Sequence, residues 1–192
     1  GELGYEIYVP PKYALELWEK IFAYGTNLGL IPYGTETMHL LRAEKGYVVI
    51  GQDTDGTVTP IDLNLNWMIG KNKKDFIGKR SLSRSDTART DRKQLVGILT
   101  LDRGKNIEEG QHIVEQKNLP RNIDKPVDYL GHITSSYYSP TLNRCVAMAL
   151  LKNGNQLIGK KLFVSRSSGL ENTEVEVVKP TFHDPENKRL LS

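Results

Sequence analysis

Short β-like runs fill the sequence beyond residue 93, and no long helical pattern interrupts them; this constrains the fold more than any other feature. The runs are 94–101, 112–115, 129–136, 145–151, 161–165 and 174–178, and glycine and proline turns separate them. Strands this short must share a core to be stable, so the pattern predicts a small β-barrel or sandwich. Between Ser81 and Arg92 the composition changes to Ser, Asp, Thr and Arg, which reads as a linker. We therefore expect two domains, an α+β domain over 1–83 and a β domain over 84–192.

The first domain reads differently. Tyr5, Ile7 and Val9 alternate with Glu6 and Tyr8, which predicts a strand with one buried face. Pro10 and Pro11 end that strand and can start a helix. Ala14, Leu17, Trp18, Ile21 and Phe22 then fall at helical spacing, with Glu16, Glu19 and Lys20 between them. Gly25 and Gly29 are stop signals. A second helix is predicted over 35–45, with Thr35 as N-cap, Glu36 at the positive end of the dipole and Lys45-Gly46 at the stop. Residues 47–50 read as a strand and 51–57 as a loop. Strand, helix, helix, strand in that order implies an α+β layer.

Composition excludes several function classes. Hydrophobic residues make up 38% of the 192 and charged residues 26%, as in soluble globular proteins. The net charge of +3 is too small to argue for nucleic acid or an anionic membrane surface. No apolar stretch approaches transmembrane length. Cys145, the sole cysteine, lies in the apolar run 145–151 and reads as a core residue, which implies a cytoplasmic protein without internal disulfides. No Gly-x-Gly-x-x-Gly or P-loop pattern supports a dinucleotide or NTP site. His39, His112, His132 and His183 lack zinc-ligand spacing. Asp53-Thr54-Asp55-Gly56 resembles the start of a calcium loop, but the twelfth position is Asn64, so an Asx-rich turn is the better reading. Lys71, Lys73 and Lys74 form a short basic cluster, read as a solvated loop that could attract an acidic tail on a ligand. A carboxylate such as Glu6, if its face lines a pocket, can accept two parallel hydrogen bonds from a flat heterocycle such as a pterin. Arg42 follows the apolar Leu40-Leu41; an arginine there usually pairs with a carboxylate inside the fold, or it could hold a ligand carbonyl.

Three segments carry a family resemblance. Gly1-Glu2-Leu3-Gly4-Tyr5-Glu6-Ile7 resembles the Gly-Glu-x-Gly-Tyr-Glu signature of the aminomethyltransferase (glycine-cleavage T-protein) family. Leu41-Arg42-Ala43-Glu44-Lys45-Gly46-Tyr47, followed by Gly51-Gln52-Asp53, looks like its Arg-x-Glu-x-Gly and Gly-Asn-Asp stretch. The run from Gly131-His132-Ile133-Thr134-Ser135 through Tyr137, Ser139-Pro140 and Leu142 resembles its Gly-x-Val-Thr-Ser-Gly-x-x-Ser-Pro-x-Leu motif. The variant residues from Ala43 to Pro60 and from Asp75 to Leu82 are most similar to the alpha-subunit family of heterotetrameric sarcosine oxidases.

The resemblance implies a partial folate-binding α+β domain followed by a C-terminal small β-barrel. It implies tetrahydrofolate as the bound cofactor, with flavins and NAD on other subunits or on segments outside this chain. It places Glu6 at the pterin ring, Arg42 near the folate and Tyr137 in the third motif. The family's catalytic aspartate lies upstream of its signature, so no catalytic residue is expected here, and the chain reads as part of a longer one. Partners would be the other sarcosine oxidase subunits, with no nucleic acid and no membrane. Two alternatives stay open: a T-protein-like aminomethyltransferase segment, and a non-catalytic subunit-docking module.

Overall fold

The computed structural model describes residues 4–118, 126–166 and 171–191. Gly1, Glu2 and Leu3 of the first motif lie outside them. The chain forms two compact units, Gly1–His39 with Glu186–Ser192, and Leu40–Pro185.

The larger unit holds a closed six-stranded antiparallel barrel. Its strands are β1 (Lys93–Thr100), β2 (His112–Val114), β3 (Gly131–Ser139), β4 (Arg144–Lys152), β5 (Lys161–Val164) and β6 (Thr173–Val178). Around the barrel the order is β1-β4-β3-β2-β5-β6, and β6 returns to β1. All six fall on the expected runs. Closure gives each strand two neighbours. Val96, Ile98, Ile133, Ala147, Ala149 and Leu151 belong to the cluster that fills the barrel.

A second apolar cluster explains why β4 reads as a continuous apolar run. Leu95, Met148 and Leu150, on the other face of β1 and β4, meet Leu63, with Val48, Val58, Leu65 and Phe182 packed against them. Both faces of these two strands are therefore buried, and the period of two disappears from the sequence. Cys145 is buried in the barrel core, as its apolar run implies. Two glycines are fixed by contact: a Cβ on Gly131 would lie 1.8 Å from the Leu150 carbonyl oxygen, and one on Gly97 would lie 2.6 Å from that of Lys179.

The smaller unit is helical. A short 3-10 turn at Pro11–Tyr13 leads into α1 (Ala14–Gly25). On α1, Trp18 packs against Phe22 one turn later with the rings tilted by 42° (centroids 4.6 Å apart), and Lys20 pairs with Glu16 at 2.6 Å. A second 3-10 turn ends at Gly29 in the left-handed region, φ 79°. The next helix, α2, spans Thr35–Glu44 and passes from one unit into the other. The Gly34 carbonyl accepts the Met38 N–H, so Thr35 is the first helical residue rather than the cap.

Two expected strands are absent. Residues 5–9 and 47–50 have no strand pairing, and Tyr5, Ile7 and Tyr8 are exposed. Alternation is enough to suggest a strand, but a strand needs a neighbouring backbone to bond to, and among the described residues these segments have none. The α+β class stands on α1, α2 and the barrel, without the expected strand-helix-helix-strand layer. The stretch between α3 (Lys79–Leu82) and β1 is a series of turns, as the linker reading implies. Among the described residues, no helix is long and apolar enough to cross a membrane.

Candidate functional site

Arg42 and Tyr137, expected from separate motifs, meet inside the larger unit. The cause begins at the end of α2. The Tyr47 N–H bonds back to the Arg42 carbonyl and the Gly46 N–H to that of Ala43, a Schellman stop with Gly46 at φ 73°. A Cβ on Gly46 would also lie 2.4 Å from the Pro180 carbonyl oxygen. This stop leads the chain into the turn at 49–53, and Asp53 arrives beneath Arg42.

Asp53 is 1% exposed and its carboxylate is fully occupied. It accepts the Arg42 Nη1 hydrogen at 2.5 Å, the Val49 N–H at 2.9 Å, the Thr134 hydroxyl at 2.6 Å and the Ser135 hydroxyl. Thr134 and Ser135 are neighbours in sequence, and in a regular strand they would point to opposite faces. A bulge between Ile133 and Ser135 removes that restriction, so both hydroxyls reach one carboxylate.

The Arg42 guanidinium is committed elsewhere too. Nη1 donates to the Tyr47 carbonyl at 3.2 Å, and Nη2 to Gln52 Oε1 at 3.1 Å and Ser135 Oγ at 2.8 Å. The Tyr137 hydroxyl lies 3.4 Å from both Arg42 Nη2 and Gln52 Nε2, and its ring centroid lies 5.7 Å from the guanidinium carbon. Of the two readings of Arg42, pairing with an internal carboxylate is what the geometry shows. The Arg42 Nε–H is buried and has no acceptor among the described residues.

Past the bulge, Ser135, Tyr137 and Ser139 share one face of β3. Ser139 donates to buried Glu44 at 2.5 Å, while the Glu44 carbonyl accepts the Phe182 and His183 N–H groups at 2.8 and 2.9 Å. The third motif is thus the strip on which the end of α2 and the 49–53 turn dock. Asp53, Glu44, Thr134 and Ser135 were not singled out as site residues by sequence. The adjacent Thr-Ser pair was the available signal, because two hydroxyls in succession break the strand period.

Glu6 belongs to the other unit. It is exposed, and one of its carboxylate oxygens accepts the Tyr8 hydroxyl. That bond, with a smaller effect of burial, holds the Tyr8 phenol above its ordinary pKa. Among the described residues the second oxygen of Glu6 has no donor, so the carboxylate retains the acceptor capacity that a pterin edge requires. Asp55 takes the Asx-turn role expected of its loop, accepting the Thr57 N–H at 2.7 Å. Lys71, Lys73 and Lys74 are exposed, and Lys73 lines an open, mostly apolar groove of about 890 Å³ with Phe76, Ile77 and Met68.

Residues 1–73 match the GCVT N-terminal domain and residues 93–184 the glycine cleavage T-protein C-terminal barrel domain. The sarcosine oxidase subunit alpha of Corynebacterium sp. strain P-1 is 45% identical over 189 residues, 98% of this chain and 19% of that relative. That of Rhizobium meliloti strain 1021 is 36% identical over 190 residues, again 19% of the relative. The aminomethyltransferase of Halothermothrix orenii is 34% identical over 85% of this chain and 43% of its own length. The chain therefore spans under half of each of these relatives. The crystal structure of glycine cleavage system aminomethyltransferase T from Bartonella henselae shares the fold, with a TM-score of 0.74, 23% identity, and coverage of 91% of this chain and 45% of that one. With both domain models matched in order on either side of the turns before β1, the chain belongs to the aminomethyltransferase (glycine-cleavage T-protein) family.

Proposed function

We propose that this chain is the tetrahydrofolate-binding region of a sarcosine oxidase alpha subunit. It would help capture the one-carbon unit released when sarcosine is oxidatively demethylated. The observation that carries the reading is 45% identity to a sarcosine oxidase subunit alpha across 98% of the chain. In this reading Glu6 orients the pterin ring through paired hydrogen bonds, a contribution of positioning rather than acid–base chemistry. Arg42 and Tyr137 belong to the wall of the folate site, and among the described residues the Tyr137 hydroxyl hydrogen has no acceptor, so it can meet a ligand. Tetrahydrofolate, when bound, supplies the nitrogen nucleophiles that accept the one-carbon unit. Flavin and NAD chemistry, and the subunits that carry it, belong to the remainder of the complex. The domain boundary is set at 83/84, a choice supported by the gap between the two matched family domains.

Titration of the chain with tetrahydrofolate by calorimetry tests the reading. Saturable binding that Glu6→Gln weakens by at least about tenfold is expected, since one charged acceptor is lost. Binding indifferent to Glu6→Gln would overturn the assignment of Glu6. Sarcosine oxidation is expected to be undetectable with this chain alone, and turnover by it would overturn the proposal that the oxidising chemistry lies elsewhere.

A further inference from the structure

Cations in this fold are normally paired once they are buried. Arg42 has Asp53 at 2.5 Å, Lys45 has Asp184 at 3.2 Å, and Arg92 has Asp62 at 2.9 Å. This is the expected rule, because a desolvated charge without a counter-charge is costly.

Half-buried Arg144 breaks it, and two exposed cations, Arg103 and Lys179, line the same cleft. This cleft of about 380 Å³ opens where β1, β4 and β6 come together, and Leu99, Leu142 and Phe182 give it an apolar lining. Arg103, Arg144 and Lys179 also line it, and among the described residues no carboxylate does. Among the described residues, none of these three cations lies within 4.0 Å of an acidic oxygen. Arg144 donates through Nη2 to the Thr100 carbonyl, while its Nε is buried with no acceptor. The carboxylates nearest in sequence and register do not repair this. Asp102, beside Arg103, turns back to accept the Gly104 N–H at 2.9 Å, and Glu176, which faces Leu99 across the β1–β6 ladder, is not part of the lining.

We propose that this cleft is an anion site, taking a phosphate or carboxylate group against the Phe182 face. Three like charges around one cleft raise the local positive potential. An oxyanion removes that repulsion, and a guanidinium is suited to hold it by two parallel bonds. Lys179 follows β6 directly and Arg103 lies just past β1, so both reach the cleft from ends of paired strands. The proposal is independent of the folate reading, because it uses neither Glu6 nor Arg42.

The test is a titration of the full chain with inorganic phosphate and, separately, with a glutamate tripeptide, at fixed ionic strength to hold screening constant. The readouts are calorimetry and the ¹⁵N resonance of the Arg144 side chain. A saturable isotherm with a matching Arg144 Nε–H shift is expected for at least one probe, and the tighter probe identifies phosphate or carboxylate as the source. Arg103→Gln and Lys179→Gln, both at exposed positions, should each weaken it by about tenfold. Arg144→Gln also removes the bond to the Thr100 carbonyl, so it is not relied on. The absence of a saturable Arg144 shift with both probes, or binding unchanged in both variants, would overturn the proposal.

Discussion

Arg42 and Asp53 are bound more tightly into the fold than a surface ion pair, and the consequences can be measured. Removing one partner of such a pair leaves a buried charge uncompensated, at a cost of about 3–5 kcal/mol. Arg42→Met should therefore lower unfolding stability by that amount in chemical denaturation. Adding Asp53→Leu should recover a large part of it, since the orphaned carboxylate goes too. A loss below about 1 kcal/mol in Arg42→Met would mean that the pair is not buried in solution. Tyr137→Phe should behave differently. The hydroxyl contacts to Arg42 and Gln52 are long, 3.4 Å each, so stability should change by less than about 0.5 kcal/mol. A weaker tetrahydrofolate affinity in Tyr137→Phe would then report on the ligand and not on folding. The pairing of Arg42 was legible from its place beside Leu40-Leu41, but the identity of its partner was not. The hydroxyls that bind Asp53 are 81 and 82 residues away in sequence, and local turn chemistry explained the acidic loop well enough to hide them.

At the scale of elements, the barrel strands were legible and the strands of the first half were not. Each barrel run alternates or sits between turn residues, and each finds two neighbours, so local pattern and long-range pairing agree. Residues 5–9 and 47–50 carry the pattern without the pairing. Gly131 shows how tightly the ladder is built. With the Leu150 carbonyl oxygen 1.8 Å from the position of a Cβ, Gly131→Ala must push two hydrogen-bonded strands apart. A loss of more than about 2 kcal/mol is expected, toward the upper end of overpacking costs, and a thermal melt would show it. The turn before β1 is fixed electrostatically. Asp62 accepts from Arg92 Nε and Nη2 and from the Thr59 N–H, while the Leu95 N–H bonds to its carbonyl. Burial pushes the Asp62 carboxyl up, but the Arg92 guanidinium and the Thr59 donors outweigh it, and the net shift is downward. A depressed carboxylate contributes stability that is present above its unfolded pKa, about 3.9, and is lost as pH falls through the lower folded value. The acid limb of the stability profile should therefore be shallower in Asp62→Asn than in the parent chain. Equal slopes below about pH 4 would show that the clamp does not form.

For the molecule as a whole, the two units differ in what holds their backbones. In the barrel, β4 bonds to β1 and β3, and from Cys145 to Leu151 no residue is more than 4% exposed. Opening any one of those amides requires breaking the closed ladder and wetting both apolar clusters, so they should exchange with solvent only through global unfolding. Residues 5–9 lack ladder bonds and are exposed, so their amides should exchange orders of magnitude faster under the same conditions. Native-state hydrogen exchange separates these two behaviours in one experiment. It also decides what the alternation of Tyr5, Ile7 and Val9 means. Fast exchange in the free chain would show that the alternating segment has no backbone partner there. Slow exchange at 5–9, comparable with β4, would mean that the segment already pairs in solution. Varying protein concentration would then show whether a second copy supplies the pairing strand, because such protection rises with concentration by mass action.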